Sequence, residues 1–182
     1  MPGLRRAALS VAAVVLVAAG CGGSSGSYFP AAGGIYSAPV RPGDALYVGA
    51  AVLTAERNDV VTLLGADIVG LDDGVEGEVL LQQGDGDWIG VFRESELPTM
   101  PGIAPIGPID GVRIDPSSRP VQLVMRLKPT TTAGRVTAEG VRLRFRVGAG
   151  RTEAQTFPSQ VIVCVEASAP AAADCGPEDP DA

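Results

Sequence analysis

Val141-Arg142-Leu143-Arg144-Phe145-Arg146-Val147 alternates apolar and basic side chains without a break. Successive side chains on a strand point to opposite faces, so this run turns Val, Leu, Phe and Val one way and three arginines the other. A helix would scatter the same residues around its whole circumference. The run is therefore a strand with one face in a core and one in solvent.

The same grammar extends outward from this strand. Short β-rich runs separated by turn residues predict strands near Leu46–Thr54, Val60–Val69, Gly77–Gln82, Trp88–Phe92, Val121–Leu127 and Gln160–Val165. Asn58-Asp59, Asp72-Asp73-Gly74 and Gly84-Asp85-Gly86 are turn signals. Within residues 45–166 no long helical period appears. Together these imply an all-β domain: a two-sheet Greek-key β-sandwich of about seven strands, immunoglobulin-like or cupredoxin-like. At 4% aromatic, its core must be built mainly from Val, Leu, Ile and Ala.

The N-terminus has a different character. Arg5 and Arg6 precede an apolar run from Ala7 to Gly20 that only Ser10 interrupts. As a helix this run reaches roughly 21 Å, short of a hydrocarbon core of about 30 Å. It fits the h-region of an export signal rather than a membrane span. The run ends in Val17-Ala18-Ala19-Gly20-Cys21, which resembles the lipobox of bacterial lipoproteins, although Ala18 stands where that family prefers Leu. The resemblance implies cleavage before Cys21 and attachment of palmitate-like acyl chains to it. The chain would then sit on the extracytoplasmic face of a cell membrane. An ordinary secretory signal with a chance cysteine is the other reading.

The segments follow from this. Residues 1–20 are expected to be a lipoprotein signal peptide, and 21–44 a lipidated cysteine with a Gly/Ser/Pro tether. Residues 45–166 form the sandwich, and 167–182 an acidic disordered tail. Gly22-Gly23-Ser24-Ser25-Gly26-Ser27 opens the tether. Tyr28, Phe29 and Tyr36 are points at which the tether can dock on the domain.

Charge and composition exclude several functions. The 182-residue chain carries a net charge of -7. Loss of Arg5 and Arg6 with the leader takes 14 basic residues to 12 against 21 acidic ones, about -9. Nucleic-acid binding needs clustered positive charge and is not expected. The chain has no histidine, which removes the commonest general base and metal ligand. Glu94, Glu96 and Asp110 are carboxylates able in principle to do acid–base work, but no nucleophile motif accompanies them. The domain is accordingly expected not to be an enzyme and to need no cofactor.

Four features invite a functional reading. The arginines of Val141–Val147 can meet anionic headgroups or an acidic partner, or form a solvated face with partners such as Glu139 or Glu153. Asp72, Asp73, Glu76, Glu78, Asp85 and Asp87 offer oxygen ligands for Ca²⁺, or simply make hairpin turns. Neither acidic run has EF-hand spacing, so no metal site is expected. Glu94–Pro120 holds six prolines with Met100, Ile103, Ile106 and Ile109 between them. Those four side chains either contact an envelope protein partner or cover the open end of the sandwich; Val112 and Ile114 can add a short strand. Cys164 and Cys175 either pair, closing a loop of about 12 residues worth roughly 3 kcal/mol, or remain thiols with Cys164 buried.

Further stretches resemble the periplasmic copper chaperones of the PCu(A)C type. Gly49-Ala50-Ala51-Val52-Leu53-Thr54, Asn58-Asp59 and Leu63-Leu64-Gly65-Ala66 are similar to that family's opening hairpin. Met125-Arg126-Leu127-Lys128-Pro129, Gly134, Leu143-Arg144-Phe145 and Gly150 are similar to its closing strands. The resemblance implies a cupredoxin-like sandwich. It does not carry the Cu(I) ligands, which are Met sulfur and His nitrogen in that family. Its His-x-Met pair falls at Val121 and Leu123 here, and Met100 alone stands where a family methionine does. Two functions remain: a membrane-anchored envelope lipoprotein with a non-catalytic binding or structural sandwich, or a metal- or small-ligand-handling protein without the usual ligands.

Overall fold

The computed structural model describes residues 28–30, 33–54, 59–97 and 102–165. The signal segment, Cys21, the Gly-Ser run, Met100, Cys175 and the acidic tail lie outside the described residues.

Among the described residues, ten strands build two five-stranded sheets packed face to face. They are β1 (Ile35–Val40), β2 (Leu46–Leu53), β3 (Val61–Val69), β4 (Val75–Gln82), β5 (Val91–Arg93), β6 (Ile106–Gly107), β7 (Arg113–Ile114), β8 (Val121–Pro129), β9 (Gly134–Val147) and β10 (Thr152–Val165). One sheet runs β1-β10-β9-β3-β7 and the other β5-β2-β8-β4-β6. Most connections cross from one sheet to the other, so sequence neighbours seldom pair. The fold is the all-β sandwich that the alternation predicts, with ten strands in place of seven.

The deciding run is the second half of β9. Its apolar side chains meet the core: Val141, Leu143 and Phe145 are buried, while Arg142, Arg144 and Arg146 are exposed. β9 begins earlier than the alternation suggests, at Gly134. Gly140 conceals this. A bulge between Pro158 and Val161 of β10 lies opposite it, and a side chain there would strike the Phe157 carbonyl. Pro158 is tolerated because β1 pairs with β10 only from Gln160 onward, so its missing N–H interrupts no ladder pairing with β1.

The expected boundary between tether and domain at residue 44 moves toward the N-terminus. Ile35–Val40 is an edge strand running parallel to β10, with Pro39 opposite Cys164. Its Pro and Gly neighbours hide it from a sequence reading. Tyr28 and Phe29 are buried in the core itself. Phe29 packs edge-on against Phe145 at 5.2 Å and lies 6.5 Å from Phe157. The Gln155 amide fixes this segment: its Oε1 accepts from the Tyr28 and Phe29 N–H groups at 3.1 Å, and its Nε2 donates to the Phe29 carbonyl at 2.8 Å. The docking foreseen for Tyr28 and Phe29 is thus insertion between the sheets. Full burial of such a ring contributes about 2–3 kcal/mol.

Trp88–Phe92 is mostly not strand. β5 starts at Val91, and Trp88 is 40% exposed. The extra strand expected around Val112 and Ile114 forms as Arg113–Ile114 on the edge of β3.

Candidate functional site

The described first part of the Pro-rich stretch covers the outer face of a sheet through Leu97, Ile103 and Ile106, whereas Ile109, Val112 and Ile114 join the main core. Residues 83–97 and 102–107 fold back across β2, β8 and β4. Ala45, Tyr47, Ile89 and Val124 form a second small core there, with Leu80, Phe92, Leu97, Ile103 and Ile106 packed against it. Ile106 pairs with Gln82 as part of β6, and Ile103 bridges to Asp87. Gly86 permits the close return of the chain, because a Cβ there would collide with the Ala104 N–H.

Two glutamines hold this cover. Gln82 and Gln122 are opposite each other on β4 and β8, face outward and are buried. Gln82 Nε2 donates to the Asp87 carbonyl at 2.8 Å and the Ala104 carbonyl at 3.3 Å. Its Oε1 accepts from Ile89 N–H at 3.0 Å. Gln122 Oε1 accepts from the same N–H at 2.9 Å, and its Nε2 donates to the Ile89 carbonyl at 2.8 Å. Buried amides require such partners, so the network specifies where the loop sits.

Beside the cover lies a charged cluster. Arg126 on β8 donates through Nη1 to Glu78 at 2.9 Å and through Nη2 to Glu94 at 3.1 Å. Its guanidinium stands 5.9 Å from the Tyr47 ring centre, and the Tyr47 hydroxyl donates to Glu94 at 3.3 Å. Burial raises the Tyr47 phenol above its usual range, against the lowering pull of Arg126. Burial also opposes the Arg126 charge, but hydrogen bonds to Glu78 and Glu94 outweigh it and raise its pKa. Tyr47 therefore acts as a hydrogen-bond donor at neutral pH, and Arg126 as a cation clamped between carboxylates. The cluster joins β2, β4 and β8 to the turn after β5. Its polar groups are already satisfied by one another.

The carboxylates considered for acid–base work are engaged or apart. Glu94 serves Arg126 and Tyr47, and Glu96 binds Arg93 at 2.9 Å. Asp110 is exposed in the loop before β7. The acidic turns behave as turns and caps. Asp72 Oδ2 accepts from Thr137 N–H at 2.7 Å and from its hydroxyl at 2.8 Å. Asp85 pairs with Arg119, and Glu78 with Arg126. Among the described residues no group of three or more Cys, Asp or Glu side chains gathers as a cation would require.

Of the side chains expected to meet a partner, Ile109 is 4% exposed and belongs to the main core. Ile103 and Ile106 are half-buried in the second core, and Met100 lies outside the described residues. Met125 points inward on β8 and is fully buried, as are Val121 and Leu123 in the positions of the chaperone ligand pair. Cys164 faces outward on β10 yet is buried beside Ile162.

The outer face of the other sheet carries the arginines. Arg146 lies between Thr62 on β3 and Thr152 on β10, and Thr62 faces Arg113 on β7. Arg142 is opposite Asp67, whose carboxylate is 3.7 Å from Arg144. The partner of this row is thus Asp67, in place of the expected Glu139 or Glu153; Glu153 lies 3.4 Å from Arg151. Tyr47, Arg126, Gln82 and Gln122 were not singled out from the sequence. A faint signal existed in Gln82 and Gln122, which interrupt otherwise apolar runs.

No protein-family model matches the chain, and no curated protein matches it.

Proposed function

We propose that the protein is a cell-envelope lipoprotein, held to a membrane by acyl chains on Cys21, whose sandwich has a non-catalytic binding or structural role. The observation that carries this reading is the proximity of the lipobox-like cysteine to the first buried residues. Cys21 stands seven positions before Tyr28, and Tyr28-Phe29 is wedged between the sheets. Lipid on Cys21 would therefore hold the whole sandwich close to the bilayer. Two acyl chains suffice for stable anchoring, at about 0.8 kcal/mol per buried CH₂.

The non-catalytic role is supported by how the polar groups are used. Glu94, Glu96, Tyr47 and Arg126 are spent on contacts within the fold. We also propose a Cys164–Cys175 disulfide, which an oxidising compartment would favour. Cys164 sits buried on the outer face of β10 beside Ile162, and Cys175 follows it by eleven positions.

The test is expression of the full chain and of Cys21→Ala with a palmitate label. The native chain should take up label and sediment with membranes; Cys21→Ala should remain unlabelled and be released from them. Retention of an unlabelled Cys21→Ala chain in membranes at native levels would sink the lipoprotein reading.

A further inference from the structure

We propose that the arginine face of the β1-β10-β9-β3-β7 sheet lies against the anionic phosphate headgroups of the membrane that anchors the chain; this rests on the acylation of Cys21 proposed above. The chain is acidic overall, at -7, yet Arg113, Arg142, Arg144 and Arg146 all project from this one face. Asp67 is the carboxylate paired within that row among the described residues. Thr62, Thr152 and Thr156 lie beside the arginines in register and add hydroxyl donors. Guanidinium groups match phosphate oxygens in a two-pronged geometry that lysine lacks.

Among the described residues, the opposite outer face offers no comparable surface. Residues 83–97 and 102–107 cover it, and Arg126 there is clamped by Glu78 and Glu94. An acidic domain near an anionic surface is repelled in most orientations. The face with local positive charge is the one the field selects.

The position of the anchor agrees with this choice. The Tyr28 hydroxyl donates to the Asp59 carbonyl at 3.5 Å, and Asp59 leads into β3, where Thr62 faces Arg146. The chain thus enters the sandwich at the arginine end of the sheet. Seven residues span at most about 24 Å when fully extended, so Cys21 cannot hold the domain far from the bilayer. Contact matters because charges separate electrostatically beyond a Debye length of about 8 Å.

The experiment places the mature lipidated chain in vesicles of phosphatidylcholine alone, or of phosphatidylcholine with phosphatidylglycerol. Phenylglyoxal labels accessible arginines, and peptide mass spectrometry reads each site. Labelling of Arg142, Arg144 and Arg146 should fall several-fold on the anionic vesicles and recover at about 1 M salt, where the Debye length is about 3 Å. Arg41, exposed in the turn between β1 and β2, should label equally throughout. Equal labelling of the three arginines on both vesicles, with the chain floating with both, would overturn the proposal. Protection found in native membranes but absent on anionic vesicles would also overturn it, in favour of an acidic protein partner. A chain that fails to float even with neutral vesicles would refute the anchor, and this proposal with it.

Discussion

Gln122 grips Ile89 through both ends of its amide, accepting from the Ile89 N–H at 2.9 Å and donating to the Ile89 carbonyl at 2.8 Å. One side chain on β8 thereby pins a loop residue as a neighbouring strand would. Gln122→Leu keeps the volume but leaves the Ile89 carbonyl buried without this donor. Leaving such a group unsatisfied costs about 1–3 kcal/mol. Urea unfolding should show a loss of that size, and amide exchange should quicken at residues 86–90 more than in β9. A variant with native stability and native exchange would mean that the apolar contacts of the cover suffice.

Phe29 tests whether the segment before β1 belongs to the core. Its ring is fully buried among Tyr28, Phe145 and Phe157. Phe29→Ala should destabilise the domain by about 3–5 kcal/mol, as for other buried aromatics. Gln155→Ala should cost less, roughly 1–3 kcal/mol, because it removes the amide's bonds to the Tyr28 and Phe29 backbone without opening a large cavity. Thermal or urea denaturation of both variants would check the order. An effect near zero for Phe29→Ala would detach this segment from the fold.

Tyr47 supplies a pH dependence. Its phenol is raised above 10.0, first by burial, so the folded state keeps the proton to higher pH than the unfolded chain does. The linked stabilisation is fully present below pH 10 and is lost as pH rises through the folded value. Ultraviolet titration should show Tyr47 ionising above the range of a free phenol, and urea midpoints should fall on the alkaline side. Tyr47→Phe should remove one late-ionising phenol and lessen the alkaline decline. If all tyrosines of the native protein ionise together, the cluster around Arg126 is more open than its geometry states.

The fold was legible where one side of a strand meets solvent and the other the core. Val141–Val147 shows this in its seven residues, and β8 and β3 show it partly. Legibility failed where a second layer intervenes. Gln82 and Gln122 occupy outward positions, which alternation assigns to solvent, but the return of residues 83–97 and 102–107 buries them. That return depends on long-range packing, which no local period records. β1 was hidden for a different reason: a parallel edge strand tolerates Pro39 and draws its register wholly from β10. Ile109 was ambiguous between surface and core because proline spacing sets the stiffness of a loop and not its direction. The arginine row was visible as a pattern, whereas its partner Asp67 emerged only from the pairing of β3 with β9.

Gly49 and Gly90 form a matched pair for the last test. The Gly49 N–H donates to the Gly90 carbonyl at 2.8 Å, where β2 leaves its regular pairing with β8 between Gly49 and Ala51. A Cβ on Gly49 would strike the Gln122 amide nitrogen and the Ile89 carbonyl, whereas a Cβ on Gly90 meets nothing within 4 Å. The Ile89 carbonyl is backbone and cannot swing aside, and the Gln122 amide is already fixed by its bonds to Ile89. Gly49→Ala must therefore push the cover outward or bend β2. Overpacking of this kind costs about 1–3 kcal/mol, and disruption of the Gln122 bonds adds to it. Gly90→Ala should stay within about 0.5 kcal/mol of the native protein, as exposed substitutions usually do. Urea midpoints for the two variants, with tryptophan emission from Trp88 as a local reporter, would separate the outcomes. Gly49→Ala should shift Trp88 emission as well as stability, because the residues it displaces lie next to Trp88 in the chain. Equal tolerance at both glycines would show that the cover rides loosely on the sheet and that the glutamine network does not set its position.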